Sequence, residues 1–369
     1  MAEAPTSPSA HASALPEPLA VAEAQRMAPF QQVPVHPRNY SDNYGFQLDL
    51  HLQKQETYIP VMWTTSVEDS FPVKEILFET IKVKVLRIKA KDRDHPDTVM
   101  KMGKFTNSEE HRQRRFLTEM AVHRYASRGC PYIAEIHNTL YLFQRNSCYG
   151  FQMEYLSDGA LQIATLERYS YSERVGICTD VAKGLKHIHS LHLVHGDIKL
   201  DNIVVSVRPD LKYVGKIIDF GAAKVMGRLI PSNIPFGNTW PYTCPEIAGP
   251  QTPTVALEAS ADGWSFGLVA LQTLAQNEGI PWATANNTDE DFRYFRDHVD
   301  NSSERSFSRD PVQLPFTKVA AFKVLRPFVN LLVTNLLRLN PQHRFKMDRV
   351  IEELEHELTK ANYSYATEV

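Results

Sequence analysis

Leu193-Val194-His195-Gly196-Asp197-Ile198-Lys199-Leu200-Asp201-Asn202, followed by Ile217-Ile218-Asp219-Phe220-Gly221, decides the reading of this 369-residue chain. The first run puts an aspartate, a lysine two residues on and an asparagine five residues on into one short loop. The second adds an aspartate behind an apolar strand. An Asp can take a hydroxyl proton, a Lys can steady an anionic group in transfer, and Asn and Asp oxygens are hard donors suited to magnesium. Each residue alone reads as a surface charge or a turn former. The ordered set at these spacings reads as a phosphoryl-transfer site.

The pattern continues outward. Upstream, Ile81, Val83 and Val85 alternate with Thr80, Lys82 and Lys84, which predicts strand, and a polar turn Lys91–Asp97 leads to a third strand, Thr98–Met102, containing Val99 and Lys101. A helical segment from Arg115 to Tyr125 carries Glu119, and Gly150–Leu156 reads as an apolar strand ending in a polar hinge. Val175, Cys178, Val181, Ala182, Leu185 and Ile188 form a helical stripe over Ser172–Ser190, just before the Asp197 loop. Downstream come Gly237-Asn238-Thr239-Trp240-Pro241-Tyr242-Thr243-Cys244-Pro245-Glu246, then Asp262-Gly263-Trp264-Ser265-Phe266-Gly267 opening an apolar helix, then Asn340-Pro341-Gln342-His343-Arg344.

Together these runs resemble the eukaryotic Ser/Thr protein kinases over residues 70 to 360. The resemblance implies an α+β, bilobal fold, with a small β-rich N-lobe over about 70–155 and a larger α-helical C-lobe over about 156–360. It implies ATP- and Mg-dependent transfer of the γ-phosphoryl group to Ser/Thr hydroxyls of protein substrates, in an intracellular signalling role. Carried onto this sequence, Asp197 is the catalytic base and Lys199 steadies the moving phosphoryl. Asn202 and Asp219 bind the metal. Lys101 holds nucleotide phosphates with Glu119 behind it, Glu109 or Glu110 being the other candidate partners. Val99 lies above the adenine and Met153 behind it, and Glu154 and Leu156 offer backbone hydrogen bonds to the base. Glu246 pairs with Arg344, and Asp262 is structural. Gly196 and the ending Ala366-Thr367-Glu368-Val369 resemble, more narrowly, the T-cell-originated kinase group, itself similar to mitogen-activated kinase kinases.

Three departures qualify the resemblance. No glycine lies between Gly45 and Gly103, so the glycine-rich phosphate loop is replaced by something around Phe78–Lys84, and backbone approach to phosphates is sterically harder. Val99 stands where the family usually has Ala. Gly196 replaces the Arg that anchors a phosphorylated activation segment, so activity is expected to depend little on phosphorylation at Ser232 or Thr239. The missing glycines leave a pseudokinase scaffold as the rival reading. Small-molecule phosphotransferases, which share a His-Gly-Asp loop, are a second, disfavoured by Asp219-Phe220-Gly221 and the Pro245-Glu246 run.

Composition bounds the rest. A net charge of -3 and four scattered cysteines argue against a polyanion-binding surface, a disulfide framework and a zinc cluster, so nucleic acid is not an expected partner. The sequence shows no secretion signal and no membrane span, which leads us to expect a cytoplasmic protein with nuclear access open. Residues 1–40, rich in Ala, Pro and Ser, are expected to be a disordered arm in which Ser7-Pro8 reads as a chance pair more readily than as a proline-directed phosphorylation site, and 41–69 an extension of uncertain structure. The polar interval Thr284–Asp310 reads as a loop insertion, or as an acidic docking surface for basic substrates. Residues 361–369 read as a tail whose Thr367 and Val369 form a candidate PDZ ligand.

Overall fold

A computed structural model describes residues 61–64, 71, 74–90, 96–105, 110–142, 147–208, 212–227, 229–231, 239–248, 254–275, 280, 327–338 and 340–367. The expectations for residues 1–40, Ser7-Pro8, most of the 41–69 extension, Lys91–His95, Ser232 and Thr284–Asp310 fall outside them.

The alternating N-terminal segments build one six-stranded sheet. Strands β2 (Lys74–Glu79), β3 (Val83–Ile88) and β4 (Thr98–Gly103) form an antiparallel meander, and β5 (Ile136–Leu142) and β6 (Ser147–Glu154) complete it in the order β1-β5-β6-β4-β3-β2. Strand β1 (Val61–Thr64), inside the extension of uncertain structure, pairs parallel to β5 and covers that edge. Period-two alternation sends Val99, Phe151 and Met153 to one face, where helix α1 (Glu110–Ser127) adds Phe116 and Met120 to a buried cluster. The opposite face buries Leu86, Ile88, Met100 and Met102 with Phe71. The sheet is therefore apolar on both faces, and Lys101, flanked by Met100 and Met102, points to the α1 side.

The second lobe is organised by α2 (Tyr171–Ser190). Its start is fixed by a capping box: the Glu173 N–H donates to the Ser170 hydroxyl, and the Glu173 carboxylate accepts the Ser170 N–H at 2.7 Å. All six residues of the expected stripe are buried. Helix α2 packs on β10 (Tyr213–Ile217) of the sheet β10-β9-β7, with β9 Ile203–Val207 and β7 Gly159–Ala160. Its other neighbours are α4 (Ala259–Ala275) and α6 (Met347–Thr367), and Lys183 ties it to Glu355 of α6 at 2.7 Å. Strands β8 (Leu193–Val194) and β11 (Lys224–Val225), β12 (Leu229–Pro231) and β13 (Thr254–Ala256), and helices α3 (Pro245–Ala248) and α5 (Pro327–Leu336) complete the described strands and α-helices. Trp264 of α4 is fully buried at the centre of this core.

Helix α6 runs through Thr367, seven residues beyond the expected domain end at 360. Strand addition to a PDZ domain requires an extended ligand. Thr367 is helical, Val369 lies outside the described residues, and nothing here supports that partner.

Candidate active site

The Asp197 loop hangs from a buried carboxylate. Asp262, at the start of α4 and 1% exposed, accepts the backbone N–H groups of His195 at 2.8 Å and Gly196 at 2.9 Å, and Nε2 of His189 lies 2.9 Å away. Burial acts to raise the Asp262 pKa, but His189, His195 and the Gly196 N–H outweigh it and hold the group below the usual carboxylate range. Gly196 has φ +77°, and a Cβ there would come within 2.9 Å of the Ala222 carbonyl oxygen, so glycine fits this backbone without strain. Loss of the family's Arg thus has a conformational counterpart. The His195 ring is buried, with Nδ1 accepting the Asp197 N–H at 3.3 Å and Nε2–H donating to the Ile218 carbonyl at 3.0 Å.

Four donors converge on Asp197. Its Oδ1 accepts the Thr239 hydroxyl at 2.8 Å and the Thr239 N–H at 3.1 Å, while Oδ2 accepts Lys199 Nζ at 2.7 Å and Asn202 Nδ2 at 3.1 Å. Lys199 Nζ also donates to the Thr239 hydroxyl at 2.7 Å, so a carboxylate and an ammonium hold one hydroxyl between them. Thr239 entered the sequence reading only as a modification candidate. A phosphate on it would set a dianion against Asp197, which argues for a positioning role instead.

Asn202, 4% exposed, also gives its Nδ2 to the Asp197 carbonyl at 2.8 Å, leaving the amide oxygen as its acceptor. Its own carbonyl accepts the Ile218 N–H at 3.0 Å, which joins it to the residue preceding Asp219. Asp219, with φ +65°, accepts Lys101 Nζ at 3.3 Å and has a 41% exposed side chain. Burial of its carboxyl acts upward, but Lys101, His195 and the Gly221 N–H prevail and bring its pKa down to about 2. One ionised carboxylate and one amide oxygen are the hard donors magnesium takes, so these residues fit that ion.

Lys101 pairs with Glu119 of α1 at 2.5 Å; Glu109 and the Glu110 side chain lie outside the described residues. Burial acts to lower the Lys101 pKa, but Glu119 and Asp219 together raise it, and the ammonium stays charged. Burial pushes Glu119 up to about 6 with help from Asp219, against the pull of Lys101. One cation serves two carboxylates, and the better-covered Glu119 bears the desolvation penalty. Val99 and Met153, each 8% exposed, lie together in the buried cluster between the sheet and α1. Leu156 is 6% exposed, directly after the hinge.

Several contacts were missed from the sequence. The Glu154 side chain accepts Lys216 Nζ at 2.6 and 2.8 Å and the Glu135 N–H at 2.7 Å, so it ties the hinge to the second lobe. The His123 ring of α1 packs on Phe220 with ring centroids 4.7 Å apart, and the His195 ring meets Phe220 edge-on at 4.9 Å. Burial drives the His123 pKa down to about 3, and its Nε2–H donates to the Ala134 carbonyl at 2.7 Å. His123 lies four residues after Glu119, on the same helix face, which is the signal that could have found it. Farther out, Arg344 has a fully buried side chain and grips Glu246 through two nitrogens at 2.6 and 2.7 Å, a buried bidentate pair and not a surface one. Gly237 and Asn238 lie outside the described residues.

The comparisons with known proteins agree with this geometry. A family described as the protein kinase domain matches residues 83–355. The chain is 29% identical over 266 residues to the serine/threonine-protein kinase SBK1 of Mus musculus, covering 69% of this chain and 57% of that protein. It is 29% identical over 195 residues to SBK1 of Danio rerio, covering 52% and 48%. It is 30% identical over 143 residues to mitogen-activated protein kinase kinase 7 of Arabidopsis thaliana, covering 36% and 44%. The chain thus spans about half the length of the curated relatives it matches. With the family matched over most of its length and the cleft residues brought together, this chain belongs to the protein kinase domain family.

Proposed function

We propose that the chain transfers the γ-phosphoryl group of ATP to Ser/Thr hydroxyls of protein substrates, with residues 70–360 as the catalytic unit and an intracellular signalling role. The single observation that carries this reading is the hydroxyl of Thr239 held between Asp197 Oδ1 and Lys199 Nζ. A base and a cation that hold one hydroxyl can hold another. The Ser/Thr-kinase relatives support the substrate class, and the family match disfavours a small-molecule phosphotransferase.

In this mechanism Lys101, kept charged by Glu119 and Asp219, takes the nucleotide phosphates, and the Glu154 carbonyl and Leu156 N–H meet the adenine edge beneath Val99. Asn202 and Asp219 would hold magnesium, which supplies neutralising charge to the phosphates. Asp197 has about four lone-pair sites and four donors already on them, so a substrate hydroxyl must displace one. Lys199 is the displaceable one. Its flexible stem lets Nζ leave Oδ2 for the anionic phosphoryl, and the vacated lone pair receives the substrate O–H. The proton passes to Asp197 as the oxygen–phosphorus bond forms in line with the departing diphosphate.

The scaffold reading draws on one observation, the unusual flap. Phosphotransfer to peptide pools carrying only Ser/Thr or only Tyr acceptors, by wild type and Asp219→Asn, separates the two. Transfer to Ser/Thr pools that is lost in the variant is the expected result. MgATP binding without turnover in the wild type would leave the scaffold standing.

A further inference from the structure

The turn joining β2 to β3 has its own amides engaged. The Thr80 N–H donates to the Val83 carbonyl at 2.8 Å, and the N–H groups of Lys82 and Val83 both donate to the Thr80 hydroxyl at 3.1 Å. An amide held this way is not available to a phosphate oxygen, so the backbone cradle of a glycine-rich loop is closed at three positions. Thr80 is β-branched, which restricts its side-chain rotamer and stiffens the turn.

The turn is then tied to the strand that carries Lys101. Lys104, just past the end of β4, donates its N–H to the Lys82 carbonyl at 2.8 Å. Its Nζ donates to Glu79 Oε1 at 2.6 Å and to the Thr80 carbonyl at 2.8 Å. Strand register places Val85 opposite Lys101 and Val83 opposite Gly103, so the turn lies at the sheet end just past Lys101 and Gly103.

We propose that Thr80 and Lys104 are positioning residues of a preformed flap, fixing it over the nucleotide phosphates by side-chain bonds in place of a flexible amide cradle. This rests on the nucleotide-binding reading above. A flap ordered before binding loses less conformational entropy when ATP arrives, which offsets the missing amide donors. Phosphate charge is then met by Lys101, with the flap supplying shape.

The test uses the full chain as wild type, Thr80→Ala, Thr80→Ser and Lys104→Met, with two readouts. MgATP affinity and steady-state kinetics give the first. Thr80→Ala should weaken KM for ATP about fivefold with kcat changed by less than about twofold, Lys104→Met about threefold, and Thr80→Ser should restore most of the loss. Amide hydrogen exchange at Lys82 and Val83 gives the second. Both should be protected in wild type without nucleotide, lose protection in Thr80→Ala, and gain little from MgATP. Unprotected amides in a wild type that binds MgATP would overturn the positioning role alone, as would a gain in protection of about tenfold or more on MgATP addition. Protected amides in a wild type that binds no MgATP would defeat the nucleotide reading and this proposal with it.

Discussion

The catalytic loop and the turn between β2 and β3 belong to different lobes and are held by opposite means. The loop is fastened from below by groups removed from water: Asp262 is 1% exposed, and the His195 side chain lies between Phe220 and the Ile218 carbonyl. The flap is held at the surface by one hydroxyl and one lysine, with Phe78 58% and Ile81 86% exposed. Buried charge that is fully hydrogen-bonded gives one geometry and tolerates little change. Exposed bonds contribute little each and can be replaced. In the loop the departure from the family pattern is Gly196, at a backbone that suits glycine, whereas in the turn the whole set of glycines is replaced.

Substitutions should separate the two regimes. The largest stability effect is expected on the catalytic side. Arg344→Met leaves Glu246 without its buried partner and should destabilise the protein by about 3 kcal/mol in chemical denaturation, where a surface pair would lose under about 1. Lys216→Met cuts the hinge from the second lobe and should cost about 1 kcal/mol, because both partners are partly solvated, with a larger effect on KM for ATP than on kcat.

A pH-dependent case comes next. Burial pushes Asp180 of α2 up to about 6, against the Gly215 N–H and the charges of Arg208 and Lys183. Between about pH 4 and 6 the native state then binds more protons than the unfolded chain, so this group disfavours folding most above pH 6, and that penalty fades as pH falls. Asp180→Asn should stabilise by about 1 kcal/mol at pH 8 and not at all at pH 4, read from urea midpoints at the two pH values. Smallest of all, Ile81→Ser at the flap tip should shift stability by less than about 0.5 kcal/mol, and a larger loss would mean the tip is covered by something.

The same contrast explains what could be read from the sequence. That Asp197, Lys199 and Asn202 would share one loop, with Asp219 joined to it, was readable because their spacing in the sequence is short and ordered. The bilobal plan came from the family resemblance of the motifs, and the period-two runs and the helical stripe were consistent with it. Thr239 and Lys216 were not, since a hydroxyl and a surface-type lysine acquire meaning only from neighbours 42 and 62 positions away in sequence: Asp197 and Glu154. The flap appeared only as missing glycines. The sequence gives no sign that a threonine and a lysine would hold its turn. Strand β1 is four residues long, too short for periodicity to reveal.

The most direct measurement puts both regions in one experiment: MgATP affinity and single-turnover phosphoryl transfer at saturating nucleotide, for Asp197→Asn beside Thr80→Ala. Asp197→Asn should lose about 10³-fold in transfer with affinity nearly unchanged, and Thr80→Ala should lose about fivefold in affinity with transfer nearly unchanged. If both variants altered the same parameter, or if Asp197→Asn transferred phosphate at the wild-type rate, the division between a chemical loop and a shaping flap would be contradicted.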